Sequence, residues 1–146
     1  MKKKSALILI LIVCVAFLVS ACYDAGKILP GETYEITKDG DITASILSGV
    51  SEVGKTYEFK EDGSLVMRNE DGSLYGMGTY IYKTDGNIVD IYMINSDEDI
   101  AMYASKGVEV EREQKIESYK LVSITELEEV HPVVNDGEYR VLRILP

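Results

Sequence analysis

Thr56-Tyr57-Glu58-Phe59-Lys60-Glu61-Asp62-Gly63-Ser64-Leu65-Val66-Met67-Arg68 reads as two strands and the turn between them. From Thr56 to Lys60 the rings of Tyr57 and Phe59 fall on one side and the polar chains on the other. This is the period of two expected of a half-buried strand. Asp62-Gly63 brings turn chemistry, and Ser64 to Arg68 resumes a β-rich run, so the stretch predicts a hairpin. Asp-Gly occurs four more times, at Asp39-Gly40, Asp71-Gly72, Asp85-Gly86 and Asp136-Gly137. Such pairs favour turns with positive φ, and their repetition between β-rich runs predicts an antiparallel sheet.

Working outward, further strands are expected at Thr33 to Thr37, Gly78 to Lys83, Ile88 to Ile94, Ile100 to Tyr103, Val108 to Arg112, Tyr119 to Ile124 and Tyr139 to Ile144. Ile88 to Ile94 is apolar apart from Asp90 and its neighbours in polarity are few, which predicts a central strand covered on most of both faces. Val108-Glu109-Val110-Glu111 alternates between valines and carboxylates. One segment departs from this period: Ile42, Ile46, Leu47 and Val50 recur at helical spacing, with Asp41 placed to cap the start and Gly49 or Gly54 to end it. Leu127 and Val130 fit either a helical turn or an irregular strand over Thr125 to Val130. Glu-Asp-Gly-Ser-Leu occurs at both Glu61–Leu65 and Glu70–Leu74, which predicts two successive turns of like chemistry, since a solenoid needs more copies and a longer period. The expected fold is mainly β: a small antiparallel barrel or strongly curved meander with one short helix near residues 41–51.

The N-terminus carries a different signal. Lys2, Lys3 and Lys4 precede 14 residues, Ala6 to Val19, without charge, Pro or Gly, the basic and apolar regions of a secretory signal. As a helix that run spans roughly 21 Å, short of the roughly 30 Å hydrocarbon core of a bilayer. Val19-Ser20-Ala21-Cys22 resembles the lipobox of bacterial lipoproteins. The resemblance implies cleavage between Ala21 and Cys22 and diacylglycerol on the Cys22 thiol, hence a lipid-anchored protein on the extracytoplasmic face of the cell membrane. The expected organisation is a signal peptide at 1–21, a lipidated tether at 22–30 and a single β domain at 31–146. Cys14 would leave with the signal, so the mature chain would have neither a free thiol nor a disulfide.

A second resemblance rests on Tyr34-Glu35-Ile36, Lys38-Asp39-Gly40, the Tyr57 to Leu65 hairpin, Gly78-Thr79-Tyr80 and Asp85-Gly86-Asn87-Ile88. Together these look like the lipocalin-like lipoproteins of Gram-positive bacteria, over roughly Gly31 to Ile94. That implies a small antiparallel barrel or curved sheet with a helix near one end. The Gly-x-Trp signature of true lipocalins is missing, for the chain has no Trp. Ligand transport is therefore not implied.

Charge narrows the partners. The 25 acidic residues all follow the cleavage point, and three of the 15 basic ones precede it, which leaves the mature chain with a formal charge of −13. Such a domain repels nucleic acid phosphates and favours cationic partners. His131, the single histidine, is followed by Pro132 and has no nucleophile motif near it in sequence. Zinc would require three carboxylates beside it. Asp97-Glu98-Asp99 and Asn69-Glu70-Asp71 offer hard oxygens but not the spacing of a calcium loop, so neither a metal nor a cofactor is expected. Ten tyrosines against two Phe suggest half-buried strands. Among them Tyr80 and Tyr82 alternate on one strand, Tyr92 falls on the next and Tyr75 lies beside glycines, which makes these four a possible binding surface. The expected function is a non-enzymatic binding domain for an envelope or secreted protein, one version being an acidic inhibitor of a basic enzyme such as a lysozyme. Carriage of a small apolar ligand in the barrel and carboxylate-based hydrolysis are the alternatives.

Overall fold

The computed structural model describes residues 23–38, 52–75, 78–130 and 140–146. Eight antiparallel strands follow one another round a closed barrel: β1 (Thr33–Lys38), β2 (Thr56–Phe59), β3 (Ser64–Arg68), β4 (Thr79–Asp85), β5 (Ile88–Ile94), β6 (Glu113–Ser123), β7 (Glu126–Glu129) and β8 (Val141–Ile144). Closure comes from β8 returning to β1, with Tyr34 opposite Ile144 and Ile36 opposite Leu142. Among the described residues two helices accompany the strands, α1 (Ala25–Ile28) and α2 (Asp97–Ser105). The helix expected near residues 41–51, the Asp39-Gly40 and Asp136-Gly137 turns, His131, Cys22 and the signal region lie outside the described residues.

The period of two read from the sequence becomes the inside and outside of the barrel. Tyr34 and Ile36, Tyr57 and Phe59, Leu65 and Met67, Val89 and Ile91, Tyr119 and Leu121, then Leu127 and Leu142 are all buried in one core. Rings fill much of it, edge to face: Tyr34 against Phe59 at 5.7 Å and Phe59 against Tyr82 at 5.0 Å between centroids. The tyrosine hydroxyls do not go to water here. Tyr34 Oη donates to the Ile124 carbonyl at 3.3 Å and Tyr82 Oη to the Lys60 carbonyl at 2.8 Å, so turn carbonyls at the barrel's end take them.

The repeated pentapeptide builds the same turn twice. In the first, Asp62 Oδ1 accepts from the Ser64 amide at 2.9 Å and the Ser64 hydroxyl at 2.6 Å. In the second, Asp71 Oδ1 accepts from the Ser73 amide and hydroxyl at the same two distances. Gly63 (φ 84°) and Gly72 (φ 81°) each occupy the left-handed region, and each donates to the carbonyl three residues back. This is the longer hairpin turn in which a left-handed glycine follows an ordinary turn. The first turn joins β2 to β3. The second folds Leu74 back onto Arg68 and delays the start of β4.

Several expected boundaries shift. Residues Tyr23 to Pro30, expected as a tether, are part of the fold: Ala25 and Leu29 are fully buried and Tyr23 and Ile28 pack against the core. Asp24 caps α1 by accepting from the Gly26 amide, and the Ala25 amide donates to the Gly86 carbonyl at 2.8 Å. The signal was too short to see, because four residues make one helical turn without a period. Ile100 to Tyr103 is helical, not a strand, and Val108 to Glu111 is irregular. Thr125 to Val130 resolves into β7. In β5 only alternate residues are buried, so Ile88 to Ile94 is not covered on both faces; the outer face of a barrel strand meets solvent.

Candidate functional site

The four tyrosines expected as a surface are divided by the sheet. Tyr80 and Tyr82 point inward and pack against the core. Tyr92 pairs in register with Ile81, between Tyr80 and Tyr82, and so faces outward, where Lys83 Nζ stands 4.8 Å from its ring centroid. Tyr75 lies on neither strand. It is about one-third exposed, with Lys55 Nζ 3.9 Å from its ring centroid. Lys55 is itself buried and paired with Glu52 at 2.7 Å. Because Tyr92 alone of the three strand tyrosines faces out, these residues form no common surface.

What Tyr75 and Tyr80 do share is a cleft of about 260 Å³ between β3 and β4, lined also by Leu65, Met67 and Leu74. Its cause is the second pentapeptide turn. Only Ser64–Ile81 and Leu65–Tyr80 pair across this seam, since the rest of β3 is occupied by the backbone of Leu74 and Tyr75.

Inside the barrel lies a polar group that no short-range pattern announces. Glu117, on the inner face of β6 in alternation with Tyr119 and opposite Ile91, accepts from Tyr57 Oη at 3.0 Å and Tyr119 Oη at 2.9 Å through Oε2. Its other oxygen accepts from Arg140 Nη1 at 2.9 Å. Arg140 Nη1 also donates to Tyr119 Oη at 3.2 Å, while the Arg140 amide reaches Glu129 Oε2. Burial pushes the Tyr57 and Tyr119 hydroxyls well above the ordinary phenol range; Glu117 adds to both, and Tyr119 adds to Tyr57. Burial alone would depress the Arg140 guanidinium, but Tyr119, Glu117 and Tyr57 outweigh it and hold the cation. Members separated by 23 or 60 residues in sequence meet here: Arg140 reaches Glu117 past β7, and Tyr57 of β2 reaches it across the barrel interior. With both carboxylate oxygens engaged, Glu117 is placed to hold strands together.

The buried phenols give a titration with a definite sign. Tyr34 is pushed up to about 12, chiefly by burial, and Tyr80 and Tyr82 rise for the same reason. A group raised in the folded state favours folding fully below its unfolded value, about 10 for tyrosine, and that contribution is lost as pH rises beyond it. Unfolding is therefore expected between about pH 10 and 12. Absorbance at 295 nm followed with circular dichroism should show buried phenolates appearing only as the β signal is lost.

The exposed candidate is the excursion between β5 and β6, residues Asn95 to Arg112. Buried Asn95 closes its neck, its amide donating to the Arg112 carbonyl at 2.8 Å and its side chain to the Glu111 carbonyl at 2.6 Å. Helix α2 then forms by capping rather than burial. Ser96 accepts from the Asp99 amide and the Ser96 amide donates to Asp99 Oδ2, each at 3.1 Å. At the other end Gly107 (φ 76°) donates to the Ala104 carbonyl and Val108 to the Tyr103 carbonyl, both at 3.0 Å. No residue of α2 is buried; Met102, Tyr103 and Val108 are exposed by 42%, 38% and 48%. Ile100, Ala104, Gly107, Val108 and Val110 line a groove of about 390 Å³, with Glu109 at its edge. Ser96 with Asp99, and Gly107, were legible signals of this helix. The β-rich composition of Ile100 to Tyr103 obscured them.

Asp97, Glu98 and Asp99 occupy the first turn of α2, where negative charge suits the helix dipole, and Asp97 pairs with Arg112. Asn69 and Asp71 are engaged by Ser73. No group of three His, Cys, Asp or Glu able to hold a metal ion occurs among the described residues.

Comparison with protein-family models, curated proteins and solved structures finds no match to this chain. The site must therefore be read from its own chemistry. Among the described residues no helix is long and apolar enough to cross a membrane.

Proposed function

We propose that this protein is a lipid-anchored, non-enzymatic binding domain on the extracytoplasmic face of the cell membrane, and that it takes a basic protein partner on the Asn95–Arg112 excursion. The observation that carries the reading is a capped helix with no buried residue, standing out from the barrel and exposing Met102, Tyr103 and Val108 beside an apolar groove. Contiguous exposed apolar groups on a small domain commonly mark an interaction site. Five carboxylates against two cations within 95–112 give the excursion a formal charge of −3, which favours a partner rich in Lys and Arg.

Carriage of a small apolar ligand has its support in the β3–β4 cleft. At about 260 Å³ the cleft is modest, and the adjoining interior is occupied by Tyr57, Tyr80 and Met67. Protein binding is the stronger reading.

The test is capture from the host's envelope and secreted fraction by the wild-type protein and by a Tyr103→Ser, Val108→Ser variant. One stoichiometric basic partner is expected, with affinity falling at least tenfold in the variant, about 1.4 kcal/mol, and falling again as salt is raised. Equal retention by both proteins, or a partner indifferent to salt, would refute the assignment to this excursion.

A further inference from the structure

The geometry points to a fixed orientation on the membrane: the α1 end of the barrel rests against the lipid headgroups, and the α2 excursion is held away from them. This rests on the proposed lipid anchor at Cys22.

Cys22 is joined directly to Tyr23, which already packs against the barrel core, and Asp24 is the cap of α1. A lipid on Cys22 is thus within about two residues, roughly 7 Å of chain, of the folded domain. Lipidated domains on long tethers can present any face; this one has no such slack. Helix α1 is also tied down at both ends. The Ala25 amide donates to the Gly86 carbonyl at 2.8 Å, and the Gly31 amide to the Phe59 carbonyl at 2.7 Å. Between them, a Cβ on Gly26 would lie 2.9 Å from Thr84 Oγ1, so the helix lies directly on β4.

Those contacts identify one end of the barrel. The β2–β3, β4–β5 and β6–β7 turns gather there, with the start of β1 and the end of β8. The α2 excursion joins β5 to β6 at the opposite end. Strands of about seven residues, tilted in the barrel, separate the two ends by roughly 15–20 Å. The α1 end also carries exposed apolar side chains: Ile124 in the β6–β7 turn, 58% exposed, and Leu145 just after β8, 40% exposed. They are neighbours, because the Ile144 amide donates to the Thr125 carbonyl and the Leu145 amide to the Thr33 carbonyl. A bilayer reached through a short anchor would cover this pair.

Depth-dependent fluorescence quenching tests the orientation. The full precursor is expressed in a lipidating host, extracted and reconstituted in phosphatidylcholine vesicles containing a headgroup-nitroxide lipid. A zwitterionic bilayer is used because Asp24, Glu32, Glu61, Asp62 and Asp85 at this end outnumber Lys27 and Lys60. Ile124→Cys and Met102→Cys variants are each labelled with a small fluorophore, and mass spectrometry establishes the lipid on Cys22. Quenching at position 124 is expected to exceed that at 102 at least threefold. Inserting twelve Gly-Ser residues between Cys22 and Tyr23 should bring the ratio close to one. Lipidated protein with equal quenching at both positions, or more at 102, would overturn the orientation while leaving the anchor intact. A Cys22 found without lipid would overturn the anchor itself, and the orientation with it.

Discussion

Replacing Glu117 with Ala is expected to lower the stability of the barrel by about 3 kcal/mol, the usual cost of removing one partner from a largely buried ion pair. The carboxylate serves three partners, Arg140, Tyr57 and Tyr119, and its loss leaves a cation and two hydroxyls in the interior without the acceptor they share. Arg140 is already stretched in this respect, because its buried Nε has no hydrogen-bond partner among the described residues. For a domain of this size the loss corresponds to a fall in Tm of roughly 12 °C. The pair is not expected to be stabilising in itself. A Glu117→Leu, Arg140→Met chain, with apolar groups in place of both charges, should recover most of what Glu117→Ala loses. Urea unfolding of the single and double variants measures this directly. A Glu117→Ala protein as stable as the wild type would show that the cluster contributes nothing to closing the barrel.

A Cys22→Ala precursor is expected to lose lipid labelling entirely. No other thiol of the chain would follow the cleavage point, so labelled palmitate should fall to background. The signal should also stay attached, leaving a product longer by 21 residues. Under the proposed anchoring the effect is all-or-none, because the acyl chains on this one residue would supply the whole of it. Labelling and cleavage at the wild-type level in this variant would refute the reading of Val19-Ser20-Ala21-Cys22 as a lipobox, and with it the proposed location.

The two predictions concern opposite ends of what a sequence can disclose. The proposed lipobox, Val19 to Cys22, is contiguous, so its chemistry is carried by four neighbouring residues. The Glu117 cluster is assembled from β2, β6 and the residue preceding β8, and nothing near Glu117 in the sequence distinguishes it from the chain's other acidic residues. The tyrosines fall between these cases. Their number announced strands that bury rings, and Tyr34, Tyr57, Tyr80, Tyr82 and Tyr119 do pack in the barrel. Which of them face a partner could not be told, because Tyr92 is separated from Tyr80 and Tyr82 by the register Ile81–Tyr92, a property of pairing between strands.

Secondary structure divides in the same manner. Thr56 to Arg68 is a hairpin as its alternation and its Asp-Gly require, and the repeated pentapeptide is a repeated turn, since every contact in it lies within five residues. Ile100 to Tyr103 shows the limit. Its composition favours a strand, but Ser96, Asp99 and Gly107 cap a helix, and the neck at Asn95 removes the segment from the sheet, so no neighbouring strand competes for its backbone. Residues close to one another set the alternation of inner and outer side chains, the turn chemistry, the acidity of the chain and the basic and apolar run preceding Cys22. Packing between distant segments is what closes the sheet through β1 and β8, draws Tyr23 to Leu29 into the fold, brings Glu117 to Arg140 and leaves α2 exposed. Each of those depends on which distant surfaces exclude water from one another, and short-range pattern carries no record of it.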